Sequence, residues 1–243
     1  MSANVSTKCM ICGEEITQGD VPIKSICDIC GEEFTSYNFC ENGHHVCMKC
    51  VTKLFADAKD IFLNTKSENP IKIAEEVMDL PNFTLLGCKH YFVASLALCA
   101  AFKNSGGVIE DYEKVVSIII ERISQLPPSM CKVGSICGVP LAVGAGLHAT
   151  GLKSQNDDIH NKMSSKLTAF CIEKMFHEEY TGNSECCKRN TYICIHAGAI
   201  FIKNNFWVEM SLPKKIVCKY SEGNPKCNKD KCRLYRGKSS DNI

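Results

Sequence analysis

The residues of this sequence best suited to chemistry are its cysteines, and the first eight candidate ligands come in pairs: Cys9-x2-Cys12, Cys27-x2-Cys30, Cys40-x3-His44 and Cys47-x2-Cys50. Two residues between cysteines, followed by Gly13 or Gly31, make a tight turn that points both sulfurs at one tetrahedral ion, and glycine allows the positive φ such a turn needs. Cys9, Cys12, Cys27 and Cys30 fit one zinc ribbon site, and Cys40, His44, Cys47 and Cys50 fit a second. A cross-braced pairing fits the spacing equally well. His44 is preferred to its neighbour His45 on spacing. About two zinc ions are expected, and four protein ligands per ion leave no open position for water or substrate, so the expected role is structural.

A second set comprises Cys131, Cys137, Cys186, Cys187, Cys218, Cys227 and Cys232. The last three lie in Pro-, Gly-, Asn- and Lys-rich sequence that reads as loop, and loop thiols outside an oxidising compartment usually bind something. An iron–sulfur cluster needs three or four thiolates from separated parts of the chain, with N–H donors and cations nearby, and this set is a candidate for one. Another zinc ion, or thiols without metal, are the alternatives. The chain has four arginines, and two directly follow these cysteines, in Cys186-Cys187-Lys188-Arg189 and Cys232-Arg233. Lys188 and Arg189 are candidate binders of a small anionic substrate. No Ser-His-Asp or paired-carboxylate arrangement can be assembled, so no catalytic residue is named. Cys88, Cys99, Cys171 and Cys194 sit in or beside apolar helical stretches and read as small core residues; His90, His148 and His196 read as hydrogen-bonded core residues.

The elements that must position these groups follow from composition and period. There are 18 cysteines in 243 residues, with 45% hydrophobic and 23% charged residues and a net charge of +1. These values describe a folded chain, not a disordered or fibrous one. The near-neutral total hides asymmetry: residues 1–50 carry three lysines and seven acids, net −4, and residues 186–243 carry twelve basic and four acidic residues, net +8. The head has too little apolar periodicity to build a core without metal and is read as a separate zinc module, 1–52. Residues 53–210 read as an α-helical bundle, and 211–243 as a cysteine-rich basic tail that folds back on it and ends in disorder. Asn69-Pro70 opens a helix as N-cap and first-turn proline, to about Leu80. His90 to Asn104 is apolar almost all round. Tyr112, Val115, Val116, Ile119, Ile123 and Leu126 make one helix face within Glu110 to Leu126, which Pro127-Pro128 ends. Further helices are expected around Ile159 to Cys171 and from Thr191 to Phe206. The fold class is therefore mainly α, with a zinc-ribbon or treble-clef-like head.

Gly144-Ala-Gly146-x2-Ala149 matches a dinucleotide pattern, but Pro140 sits in the strand that pattern needs, and its surroundings are helical. The other reading is a helix from near Cys137, closely packed through Gly and Ala, with its first amides facing an anion or cluster. No apolar run reaches the roughly 18–20 residues of a membrane span, and no apolar segment precedes the first cysteines, so a cytoplasmic metalloprotein is expected.

Six motifs in order carry a resemblance. They are the paired knuckles, the Cys40 to Cys50 stretch, Asn69-Pro-Ile-x-Ile-Ala-Glu-Glu, the small-residue segment after Cys131, Cys186-Cys187-Lys-Arg189 and the cysteine-rich tail. Together they resemble a domain family of unknown function from anaerobic archaea and bacteria. The resemblance implies a context of methyl or sulfur transfer, because that domain can accompany methyltransferases that use S-adenosylmethionine. Two functions lead, ahead of a third in which the basic tail, with Tyr220, Tyr235 and five lysines between positions 214 and 229, binds RNA. One is an enzyme of anaerobic metabolism with an oxygen-sensitive cysteine site. The other is a non-catalytic zinc-dependent adaptor. The expected partners are a protein, such as a methyltransferase, and a small anionic substrate. Nucleic acid is disfavoured at the acidic head, and no membrane partner is expected.

Overall fold

A computed structural model describes residues 9–12, 14–81, 83–126, 130–131, 136–151 and 157–236, apart from the side chains of residues 48, 157–161 and 180. Gly13, Pro127-Pro128 and the tail end expected to be disordered, 237–243, lie outside the described residues. The head is a hairpin of β1 (Ile16–Ile26) and β2 (Glu33–Cys40), antiparallel, with Ile16 opposite Cys40 and Ile26 opposite Glu33. An irregularity between Gln18 and Ile23 interrupts the ladder. The hairpin has almost no apolar core: the head's buried cluster is Cys27, Cys47 and Cys50, with Ile29, Phe34 and Val46 only partly covered.

Seven α-helices occur among the described residues. Helix α1 (Met48–Asn64) starts inside the knuckle region, so the head and the helical region share one rigid element. Helix α2 (Pro70–Met78) begins as the sequence predicts, with Asn69 Oδ1 accepting from the N–H groups of Ile71 and Lys72 at 2.9 and 3.1 Å. Those bonds satisfy two donors that the first turn leaves without intrahelical partners. Helix α3 (Lys89–Asn104) is buried on nearly every side because it packs against α1, α2 and α4 (Tyr112–Ser124), as well as α5 (Val139–Ala149) and α7 (Cys187–Phe206). Its all-round apolar character is the sequence counterpart of that central place. On α4 only Val115, Val116, Ile119 and Ile123 are buried, the stripe the three- and four-residue spacing requires. Helix α6 (Asp157–Phe176) packs Leu167, Cys171 and Met175 against the core.

The Gly-rich segment is α5, not a strand and nucleotide loop. A Cβ on Gly144 would lie 2.0 Å from Thr168 Oγ1 and 3.0 Å from the Ser164 carbonyl oxygen; one on Gly146 would lie 2.0 Å from Ser95 Oγ. The glycines let α5 close onto α6 on one side and α3 on the other. The buried thiols Cys99, Cys171 and Cys194 act as small core residues, as read from their apolar settings. Beyond α7 the chain lies back on the bundle: Met210, Cys218, Cys232 and Leu234 are buried in the same cluster as the helices.

Candidate metal centres

The eight head ligands form two interleaved tetrads, Cys9, Cys12, Cys40 and His44 in one and Cys27, Cys30, Cys47 and Cys50 in the other. Of the two pairings the spacing allowed, the structure has the crossed one. The first tetrad ties the chain before β1 to the chain after β2. The second ties the turn between the strands to the start of α1. Cys12 and Cys40 sulfurs lie 3.5 Å apart, Cys40 Sγ and His44 Nδ1 3.8 Å, Cys30 and Cys47 sulfurs 3.9 Å, and Cys27 and Cys50 sulfurs 4.0 Å. A tetrahedral ion with Zn–S of about 2.3 Å needs its sulfurs about 3.8 Å apart, so both tetrads have the right size for one ion each. His45 is turned elsewhere, its N–H donating to Asp28 Oδ2 at 2.6 Å and its ring beside Phe34.

Each tetrad contains one thiol that ionises early. Burial opposes ionisation of Cys12, but N–H donors including Glu14 and Asn42 outweigh it and bring the thiol down to about 6. Cys27 is likewise brought to about 6, against burial, by the backbone N–H groups of Cys47, Cys30 and Ile29. Gly31, at φ +71, closes the knuckle turn with its own N–H on Cys27 O at 2.9 Å. A metal ligand must be a thiolate, so these donors lower the proton cost of loading.

The second cysteine set is divided by α7. Cys186 is the N-cap of α7 and Cys187 its first residue, four positions earlier than Thr191, where apolar periodicity places the start. Cys186, Cys218, Cys227 and Cys232 line one chamber between the N-terminal end of α7 and the returning tail, with Arg189, Tyr220, Asn224 and Lys226 in its wall. Cys187 is not part of that lining. Its sulfur accepts from Gly87 N–H at 3.4 Å, and the charges of Cys137, Cys186 and Cys131 are felt there. Cys131 and Cys137 are likewise not among the residues that line the chamber, and their charges are felt at Cys187 and Tyr91. Burial raises Cys187 to about 12 and Cys218 to about 11, and raises Cys186.

The chamber is built by several local devices. Cys218 N–H donates to Leu234 O at 2.6 Å, and Cys218 bridges to Tyr235, which brings the two ends of the tail loop together. Lys229 adopts φ +47, and its N–H reaches Cys227 Sγ at 3.3 Å; Asn224 Nδ2 donates to Cys186 Sγ at 3.6 Å. Gly182 has φ +129 and faces Arg189 and Cys232 so closely that a Cβ would lie 3.0 Å from Arg189 Nε and 3.1 Å from Cys232 Sγ. Tyr220 anchors the tail to α2 by donating to Asp79 Oδ1 at 2.8 Å, beside the Lys219–Asp79 ion pair. Lys226, in the chamber wall, pairs with Glu185. Asn224 and Gly182 were not legible as site residues; a lone Gly or Asn in a loop carries no signal until its neighbours are known.

Among the described residues, only the head tetrads bring three or more candidate ligand atoms within 4.8 Å of one another. The chamber sulfurs therefore stand wider than a single-ion site. Lys188 and Arg189, sequence candidates for anion binding, are both buried, at 0% and 3% exposure. Arg189 donates to Met175 O at 2.6 Å, Asn190 Oδ1 at 2.9 Å and Thr181 O at 3.3 Å. They face the protein interior and are not displayed to solvent.

The chain belongs to a family of unknown function, DUF5714, whose model matches residues 58–235. The match runs from within α1 to the Cys218–Tyr235 bridge, so it takes in the chamber and the helices and leaves the head with its two tetrads outside. No curated protein and no solved structure matches the chain. No described helix is long and apolar enough to cross a membrane.

Proposed function

We propose that this chain is a metalloprotein in which two structural zinc ions brace the head and a thiolate-ligated iron–sulfur cluster occupies the chamber of the family domain. The observation that carries this reading is the convergence of Cys186, Cys218, Cys227 and Cys232, separated by up to 46 residues in sequence, on one chamber at the end of α7. Its wide sulfur spacing suits several metal atoms sharing four thiolates. N–H donors to sulfur and two buried cations supply the surroundings that an anionic cluster needs. With four protein thiolates every iron is coordinated, so the centre serves as a one-electron carrier rather than a substrate-binding Lewis acid. One electron enters from a low-potential donor and leaves to an acceptor, with no bond made or broken. Within the methyl- or sulfur-transfer context, the acceptor is a partner enzyme such as a methyltransferase.

A second reading, a zinc-dependent adaptor, has its own support: the hairpin exposes Val21, Ile26 and Tyr37 at 71%, 65% and 52%, and its zinc sites are closed. The two are separated by purifying the full chain without oxygen and measuring iron, sulfide and zinc. The cluster reading expects brown protein with two zinc ions per chain, and loss of iron and colour in Cys218→Ala, Cys227→Ala and Cys232→Ala but not in Cys99→Ala. Colourless wild-type protein with zinc alone refutes it and leaves the adaptor.

A further inference from the structure

The Cys186-Cys187-Lys188-Arg189 run places two cations in successive buried positions. Arg189 has neutral oxygens to donate to. Lys188 Nζ is buried without a hydrogen-bond partner. Its ammonium group lies 4.1 Å from the centre of the Tyr220 ring and 4.5 Å from that of Phe83. Cation–π contact is a weak substitute for water or a carboxylate around a fully buried charge. Burial opposes the charged form of this amine, so an ammonium persists here only where negative charge stands beside it.

The groups facing Lys188 can be named element by element. Cys218 comes from the tail, Cys187 and Cys186 from the start of α7, and Asp79 from the end of α2. From α3 comes His90, fully buried, its Nδ1 on Gly87 O and its Nε2 without a partner. His90 cannot help, because burial and the Lys188 charge itself both hold its imidazole neutral. Asp79 is half exposed and already paired with Lys219 and Tyr220. What remains to carry negative charge beside Lys188 is sulfur, and a thiol does so only when ionised, as a metal ligand is.

We propose that Lys188 is the built-in countercharge of the chamber's metal centre, a positioning residue that acts through the ligands Cys186 and Cys218 and sets the charge state the site prefers. This rests on the cluster reading above. Four thiolates around an oxidised four-iron cluster leave a net two negative charges, and one-electron reduction makes three. Lys188 and Arg189 bring the oxidised state to neutrality within a wall of low dielectric. Removing the ammonium leaves both states less compensated, and the reduced state suffers more because it carries the larger charge.

The test compares wild type, Lys188→Met and Lys188→Arg as full-length chains purified without oxygen. Methionine matches the length and apolar stem of lysine without its charge. The expected result is that Lys188→Met keeps its iron but shows a more negative midpoint potential in a mediated redox titration, and that Lys188→Arg moves the potential back toward wild type. A second readout is thermal. Metal-free Lys188→Met should melt no lower than metal-free wild type, because a partnerless buried charge has gone, while loading with metal should raise its Tm less than it raises that of wild type. An unchanged potential together with an unchanged Tm gain on loading would overturn the role of Lys188 while leaving the cluster in place. Wild-type protein that takes up zinc in the chamber and no iron would overturn the cluster reading instead, and the Tm gain on zinc loading would then judge the countercharge by itself.

Discussion

The crossed pairing of the head ligands makes a prediction that inverts if the pairing is sequential. Replace Cys12 by Ala in one variant and Cys50 by Ala in another, and ask what kind of site survives. In the crossed arrangement, Cys12→Ala destroys the tetrad containing His44 and leaves an all-sulfur site, whereas Cys50→Ala destroys the all-sulfur tetrad and leaves three sulfurs and one nitrogen. A sequential pairing reverses both outcomes. The size of the effect follows from how little else holds the head together. Ile29, Phe34 and Val46 are only partly buried, and at about 1.5–3 kcal/mol for a fully covered large apolar side chain they contribute a few kcal/mol at most. A structural zinc ion contributes about 10–16 kcal/mol. If four ligands share that evenly, losing one costs about 2.5–4 kcal/mol, roughly 60- to 700-fold in metal affinity. Cobalt(II) substituted for zinc reports the ligand set through its visible absorption, and X-ray absorption at the zinc edge gives the sulfur count independently. An all-sulfur survivor in Cys50→Ala, or a mixed survivor in Cys12→Ala, would refute the crossed pairing.

Loading the head with zinc and then chelating it should abolish the protection of residues 9–50 from proteolysis and leave most of the helical circular dichroism, since α2–α7 keep their own apolar core; loss of the helical signal in step with the metal would contradict this. Gly144→Ala should destabilise by about 1–3 kcal/mol through overpacking, offset by up to about 1 kcal/mol of helix propensity, because the new Cβ meets Thr168 and the immobile Ser164 carbonyl; an unchanged or raised Tm would show that α5 and α6 are less closely packed than described. Burial holds Lys89 down to about 8 from 10.5, so between those values the unfolded chain binds more protons and this residue makes folding more favourable as pH rises. Lys89→Met should accordingly be more stable than wild type at pH 7 by up to about 3 kcal/mol, with the difference vanishing near pH 10.5, as measured by denaturant titration across that range. A constant difference at all pH values would refute it.

Much of this protein was determined by local sequence. The knuckle turns need only two intervening residues and a glycine, and the Asn69-Pro70 helix start needs only a side chain that can reach back to Ile71 and Lys72. The stripe of Val115, Val116, Ile119 and Ile123 needs only the helical period. Each is an interaction over a few residues, so spacing in the chain is spacing in space. What tertiary structure decided lies between distant segments. Eight knuckle ligands at these spacings satisfy two pairings equally, and the choice was made by the β1–β2 hairpin, which returns Cys40 beside Cys12 and leaves Cys27 and Cys30 at its far end to meet α1. The start of α7 was hidden because Cys-Cys-Lys-Arg has the look of a polar loop; Cys218, Tyr220 and Cys232 of the tail, together with Phe83 and the Met175 carbonyl, bury Lys188 and Arg189. The division of Cys186 from Cys187 has the same origin. Adjacent residues at a helix start point about 100° apart, so one sulfur turns to the chamber and the other to Gly87, and no count of residues along the chain reveals what waits on each side.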